Sequence, residues 1–173
     1  MGRRRAADAL VMIARVREGE VDAARAAIAA HWPAGESPFA AVGGTHLARL
    51  QVLRPPARRR RRAPAAHVLL AADVDGAPWA WVERLRAAAG APLDAVLGHC
   101  AFYPGSAEPA AFARFVAANQ VRVGFSVIGS PGATVEEVGE ALALREELAG
   151  FVQRTQRMDA AGRRATWRAW RGA

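Results

Sequence analysis

Thr45-His46-Leu47-Ala48-Arg49-Leu50-Gln51-Val52-Leu53 is the stretch that decides the predicted fold. Successive side chains of a β-strand point to opposite faces. One face would therefore carry His46, Ala48, Leu50 and Val52, and the other face Leu47, Arg49, Gln51 and Leu53. The alternation predicts a strand with an apolar face that begins at a histidine, and with two polar groups on the opposite face.

Around this stretch, the chain has the patterns of three further strands and two helices. Strands are predicted at residues 9–17, 65–74 and 97–104, helices at residues 20–31 and 78–89, and a short helical turn at residues 92–96. The order strand, helix, strand, strand, helix, strand over residues 9–104 is the ferredoxin-like βαββαβ arrangement. We therefore predict an α+β fold with an antiparallel sheet, helices on one face and the other face uncovered.

Residues 105–154 predict a helix-strand-helix extension of this core. Ser106 is the expected N-cap of the first helix, and residues 121–128 form the strand. Thr134 and Glu137 match a capping box for a second helix that ends near Arg154. The predicted buried stripe of that helix is Val135, Val138, Leu142, Leu148 and Val152.

Residues 155–173 form a basic tail with Trp167 and Trp170 among arginines. The tail could be a short amphipathic helix that docks on a partner, but we expect a frayed terminus. With 173 residues, of which 52% are hydrophobic, we expect a single domain.

The composition predicts a cytoplasmic protein. No apolar run approaches the roughly 20 residues of a transmembrane helix, and the short apolar run after Arg3-Arg4-Arg5 lacks a clean cleavage region for a secretory signal. The single cysteine, Cys100, excludes an internal disulfide and a site built from several cysteines. We expect no association with a membrane.

The basic charge raises the question of nucleic acid. The net charge is +8 and all the basic residues apart from histidine are arginines. Five of them, Arg58 to Arg62, follow Pro55-Pro56 and precede Pro64, where like charges repel and stay solvated. We therefore expect a solvated loop in preference to a nucleic-acid site.

The element order of residues 9–104 resembles the dimeric α+β barrel superfamily, in which two such sheets pack face to face around a pocket. That resemblance implies a homodimer. It also implies activities such as those of chlorite dismutase-like and dye-decolourising haem peroxidases, cofactor-independent monooxygenases, and small isomerases and dehydratases. The Gly-x-x-Asp-Gly signature of the dye-decolourising family is absent, because Ala72 stands three positions before Asp75-Gly76.

The candidate catalytic residues are His46, His99, Arg49 and Tyr103. Two imidazoles near one pocket could act as acid and base at neutral pH. Arg49 could bind a carboxylate or enolate, and Tyr103 could orient a substrate. The structural alternatives stay open: histidines satisfied in the core, an ion pair of Arg49 with Asp73 or Asp75, and a tyrosine that caps the edge of the barrel.

Other chemistries have weaker patterns. A metal site would need convergence of His46, His67, His99 and Asp73, none of which has motif spacing. Cys100 alternates away from His99 and is expected to be a small buried hydrophobe. No glycine-rich phosphate loop is present. We expect no nucleotide and no resident cofactor, with haem and a mononuclear metal left open.

Three functional hypotheses follow. The first is a small dimeric enzyme of bacterial secondary metabolism or oxidative chemistry that acts on an apolar or aromatic substrate, with His46 as acid or base, His99 and Tyr103 orienting the substrate, and Arg49 stabilising negative charge. The second is a non-catalytic partner or assembly protein of the same fold. The third is a nucleic-acid binder that uses its arginine loop.

Overall fold

The structure is a computed structural model that describes residues 7–32, 37–54, 64–124, 129 and 132–171. These residues form two compact units, 1–135 and 136–173. The strands are β1 (Ala7–Arg15), β2 (Thr45–Leu53) and β3 (His67–Asp75). The helices are α1 (Val21–His31), α2 (Pro78–Leu97), α3 (Pro109–Asn119), α4 (Val135–Thr155) and α5 (Ala160–Arg171), with one 3-10 turn at Pro38–Ala41. The mixed α+β class and the first three strands are confirmed.

The sheet of the first unit is antiparallel and has the order β1-β3-β2. Leu10 lies opposite Ala72 across β1 and β3, and Leu50 lies opposite Leu70 across β2 and β3. The register of β2 shifts by one residue between Thr45 and Leu47. His46 is therefore the extra residue of a β-bulge, and the simple alternation predicted from Thr45 onward begins only after it.

One face of the sheet forms the core. Alternate residues of β1 and β3 are buried there, among them Leu10, Met12, Val68 and Leu70. They belong to one hydrophobic cluster with Trp81, Val82 and Leu85 of α2 and Phe112, Phe115 and Val116 of α3. The aromatic and β-branched residues of this cluster explain why α2 and α3 lie against the sheet.

The opposite face is less buried, and we call it the open face. It carries Val11, Ile13, Leu69, Ala71 and Leu47, which lie between the buried residues in sequence. The first four are partly buried, whereas the Leu47 side chain is 59% exposed.

The predicted fourth strand at residues 97–104 is wrong. Leu97 still belongs to α2, and the only ladder contact that follows is an isolated bridge between Cys100 and Val16 at the end of β1. The backbone of Phe102 has a φ of 61°, a left-handed conformation that cannot continue a strand. A second isolated bridge joins Gln120 to Met12. Residues 125–128 of the predicted strand 121–128 lie outside the described residues.

Helix α2 is longer than predicted, and it is kinked where the sequence predicted that the helix would end. Ala89 has φ −131° and ψ 26°, and Pro92 lies three residues further on, so the predicted helix and the predicted helical turn join across this kink. Gly90 allows a close approach, because a Cβ there would lie 2.8 Å from the Ser106 hydroxyl oxygen. Ser106 does not cap α3, which begins at Pro109 after an N-cap at Glu108 that makes no side-chain cap bond.

The second unit is a pair of helices held by aromatic rings. Trp167 and Trp170 of α5 lie 5.5 Å and 6.1 Å from Phe151 of α4, measured between ring centroids. The predicted frayed tail is therefore a helix. The predicted buried stripe of α4 is wrong in its C-terminal half, because Leu142, Leu148 and Val152 are 46%, 42% and 55% exposed.

Candidate functional site

His46 lies near the start of β2 and forms a hydrogen bond with a carboxylate. Its Nε2 lies 2.8 Å from Oδ1 of Asp75, the last residue of β3, and its side chain is 13% exposed. The second carboxylate oxygen of Asp75 accepts a hydrogen bond of 3.0 Å from the backbone N–H of Val135. Because an ionised carboxylate only accepts, Nε2 donates the hydrogen of this bond.

The bulge that presents His46 is fixed by its neighbours. The Thr45 hydroxyl donates to the Val42 carbonyl at 2.6 Å and accepts from the Trp81 indole N–H at 2.8 Å. Gly44 has a φ of 75° and lies against Asp75, so this position favours glycine. Within the described residues, Nδ1 of His46 has no hydrogen-bond partner. Asp75 thus fixes one ring nitrogen of His46 by a hydrogen bond, and the other ring nitrogen has no such bond among the described residues.

The four principal cavities of the described chain do not include His46 among their lining residues. A pocket beside this imidazole was the premise of the catalytic interpretation. In the single chain, His46 is a mostly buried histidine whose partner is the side-chain carboxylate of Asp75.

His99 has an analogous arrangement. Its Nδ1 donates to Oε2 of Glu20 at 2.7 Å, and the two side chains are 25% and 39% exposed. Glu20 occupies the N-cap position of α1 but makes no side-chain cap bond. The contact with His99 explains why this carboxylate is turned away from its own helix.

Tyr103 is a structural donor in this chain. Its hydroxyl donates to Oδ1 of Asp94 at 2.6 Å, and Ser106 bonds both oxygens of the same carboxylate, by its backbone N–H at 2.7 Å and its hydroxyl at 2.8 Å. Its ring meets Phe112 and Phe115 edge-on. Burial, then the hydrogen bond to Asp94, raises the pKa of Tyr103 far above its ordinary value. The phenol therefore stays protonated throughout the neutral range.

The structure does not bring the two histidines together in one chain. Asp75, the partner of His46, lies opposite Ala7 at the beginning of β1. The carbonyl of His99 accepts from the backbone N–H of Arg17, beyond the end of the same strand. The eight residue steps of β1 span roughly 26 Å. The catalytic roles of His46, His99, Arg49 and Tyr103 stay predictions.

Arg49 lies on the open face. It lines a shallow groove with Leu47, Leu69 and Asp73, and within the described residues it makes no ion pair. An arginine beside apolar side chains on a sheet surface suits contact with a second surface, because its guanidinium can bond while its stem packs.

Cys100 is confirmed as a small buried hydrophobe. It has no exposed surface, and burial raises the pKa of its thiol to about 11 against the opposing effect of the Arg17 guanidinium. A thiol with this pKa is a poor nucleophile at neutral pH.

Metal-binding geometry is absent from the part of the chain that the structure describes, where no group of three or more His, Cys, Asp or Glu side chains is placed to hold an ion. His67 and Asp73 are six residues apart on β3 and do not converge with His46. No helix among the described residues has the length and apolar character that crossing a membrane requires. The loop of Arg58 to Arg62 lies outside the described residues.

Sequence reasoning missed the most unusual residue of the chain. Phe102 is 98% exposed, in left-handed backbone, at the rim of a cavity of about 880 Å³. The only signal was a phenylalanine within Ala101-Phe102-Tyr103-Pro104-Gly105, which we interpreted as a strand end.

Comparison of the chain with models of protein families, with curated protein sequences and with solved structures finds no match.

Proposed function

We propose that this chain is a homodimeric, non-catalytic assembly protein in which the open face of the sheet packs against the same face of a second copy. The observation that carries the proposal is the apolar character of this face, where Leu47 is 59% exposed beside Val11, Ile13 and Leu69. Burying such a surface against a like surface removes apolar area from water, at roughly 25 cal/mol per Å².

The size of the open face supports a second copy as its occupant. Three strands of nine residues each cover roughly 14 by 30 Å. That projected area is about half of the ~800 Å² of accessible surface that each partner of a standard interface buries, and the side chains that project from the sheet add to it. Two sheets that pack face to face lie about 10 Å apart and interdigitate their side chains. In a two-fold arrangement each copy offers the same patch, so one face is sufficient.

The finer fold assignment belongs to this proposal. We interpret the sheet as ferredoxin-like with its fourth strand reduced to the bridge between Cys100 and Val16. In the βαββαβ arrangement the last strand lies beside the first, and this bridge lies on the free edge of β1. Two such sheets packed by their open faces would form the α+β barrel that the sequence resembles.

The oligomeric state in solution tests the proposal. Sedimentation equilibrium of the full chain is expected to give a dimer, and Leu47→Arg is expected to give a monomer, since it places a charge within the apolar contact. Leu144→Arg on α4, where the leucine is 54% exposed, is the matched control and should stay dimeric. A monomeric wild type, or a dimer unaffected by Leu47→Arg, would overturn the proposal.

A second candidate function is acid-base catalysis on a small apolar or aromatic substrate. The observation that favours it is the His46 ring, which Asp75 fixes through Nε2 while Nδ1 has no partner among the described residues. Carboxylate-oriented imidazoles are efficient general bases. His99, Arg49 and Tyr103 keep their predicted roles in this candidate.

Acylation by diethyl pyrocarbonate tests whether His46 can act as a base. An accessible Nδ1 predicts that His46 reacts in the folded protein, with the modified peptide lost in His46→Asn. A His46 that reacts only after unfolding would remove this candidate.

A further inference from the structure

A cavity of about 880 Å³ lies at the end of β1 that is remote from His46. Its walls come from the end of β1 and the turn after it, from the loop after α2, and from α3. The lining includes Arg15, Ala101, Phe102, Arg114, Phe115 and Ala118. A cavity of this volume is in the range of small-molecule sites.

Phe102 is placed at the rim at an energetic cost. Its side chain is 98% exposed and its φ is 61°. A bulky residue in left-handed backbone is strained, and an exposed phenyl ring gains nothing from burial. Two unfavourable features at one residue indicate that the ring has a task outside the core.

The loop that carries Phe102 is held on both sides. Before it, the Ala101 N–H donates to the Arg15 carbonyl at 2.8 Å. After it, the Tyr103 hydroxyl donates to Asp94 at 2.6 Å. The ring is therefore presented by a fixed loop, and its placement does not result from a loose segment.

The charges of the lining favour an anion. The guanidinium groups of Arg15 and Arg114 make no hydrogen bond or ion pair within the described residues. Arg17 also lines the cavity, but its guanidinium donates to the carbonyls of Gly98 at 2.6 Å and Cys100 at 3.4 Å. Among the described residues, Glu18 is the one acidic residue of the lining, so three arginines and one glutamate give these residues a net charge of +2.

We propose that this cavity binds a small carboxylate with an aromatic or acyl body. Arg15 and Arg114 bond the carboxylate, because guanidinium groups match carboxylate geometry. Phe102, Phe115 and Ala118 contact the apolar body, which covers the exposed phenyl ring. The site lies within one chain and goes beyond the proposed dimerisation.

Isothermal titration calorimetry with 2-naphthoate tests the site. The full chain is expected to bind it saturably, and to bind neutral 2-naphthamide about tenfold or more weaker, since the charge-assisted bonds are lost. Arg114→Gln and Phe102→Ala are each expected to weaken the binding of 2-naphthoate by a similar factor. Arg145→Gln, which removes an exposed arginine of α4, is the matched control and should bind as the wild type does.

Equal binding of the acid and the amide, unchanged binding by Phe102→Ala, or no saturable binding by the wild type would overturn the proposal. Circular dichroism of each variant verifies that these exposed substitutions leave the fold intact. The monomeric Leu47→Arg variant should still bind 2-naphthoate, which separates a failure of this site from a failure of the dimer.

Discussion

The Tyr103 hydroxyl donates a hydrogen bond of 2.6 Å to Asp94, nine residues earlier in the chain. The same carboxylate accepts twice from Ser106. This three-residue cluster ties the loop after α2 to the second half of that helix. It fixes Tyr103 and Ser106, which lie on either side of Pro104-Gly105, to one carboxylate.

Removing the phenolic hydroxyl tests this cluster. Tyr103→Phe keeps the ring between Phe112 and Phe115 but leaves one oxygen of Asp94 with a single donor. We expect a loss of about 1 to 2 kcal/mol in the free energy of unfolding, since hydrogen bonds to charged groups are the stronger ones. Urea denaturation measures the loss. Stability equal to the wild type would show that the bond contributes nothing.

Alkaline pH should destabilise the protein through Cys100. Burial raises the pKa of this thiol from 9.0 to about 11, so above pH 9 the unfolded chain releases a proton that the folded chain keeps. The contribution of Cys100 is fully present below pH 9 and is lost as the pH rises towards 11. Two pKa units correspond to about 3 kcal/mol.

Cys100→Ala separates this contribution from that of Tyr103, whose raised pKa acts in the same direction above pH 10. Between pH 8 and pH 10, the free energy of unfolding of the variant should fall less steeply with pH than that of the wild type. The same pH dependence in the variant and in the wild type would contradict the shift of the Cys100 pKa.

Gly90→Ala should destabilise the protein although alanine favours helices. The added Cβ would lie 2.8 Å from the Ser106 hydroxyl oxygen, which must then rotate away from Asp94. We expect a net loss of about 1 kcal/mol, because the lost hydrogen bond exceeds the gain in helix propensity. In the Ser106→Ala background, which has no hydroxyl, Gly90→Ala should cost much less. Additive effects of the two substitutions in thermal denaturation would disprove this clash.

Phe102→Gly should stabilise the protein by about 0.5 to 1 kcal/mol. Glycine relieves the left-handed strain, which costs roughly 1 to 2 kcal/mol, and loses about half of that gain to its greater freedom when unfolded. Phe102→Ala keeps a Cβ and should leave the stability unchanged. A decrease in the melting temperature of the glycine variant would mean that the ring supports the fold after all.

The strands and helices that were predicted best are those whose signals lie within their own stretch of sequence. Alternation identified β2 and β3, and Pro78 marked the first residue of α2. Each of these signals is local, so the rest of the chain had little opportunity to override it.

The failures have causes outside the local pattern. Phe102 is not a residue type that favours left-handed backbone, so the residues around it gave no warning that the predicted fourth strand would end there. Ser106 has the chemistry of an N-cap but bonds Asp94, twelve positions away. The periodic leucines of α4 marked an apolar face correctly, but periodicity does not specify what covers such a face.

The sequence predicted which residues would be of interest at the candidate site, but it did not predict which side chains they would contact. His46 and His99 were identified, but their carboxylates, Asp75 and Glu20, are 29 and 79 positions away from them. Residues so far apart in the chain meet only through the order of the strands and the turn after β1. The sequence predicted these features without the details that bring the two side chains of each pair together.

Among the described residues, β2 is paired on one side only, which leaves a row of backbone donors and acceptors that could recruit a strand from another molecule and start a fibril. The extra residue at His46 bends this strand where such a ribbon would begin, and Arg49 adds a charge that two stacked copies would bring together. A bulge and a charge of this kind disfavour the regular strand pairing that a fibril requires.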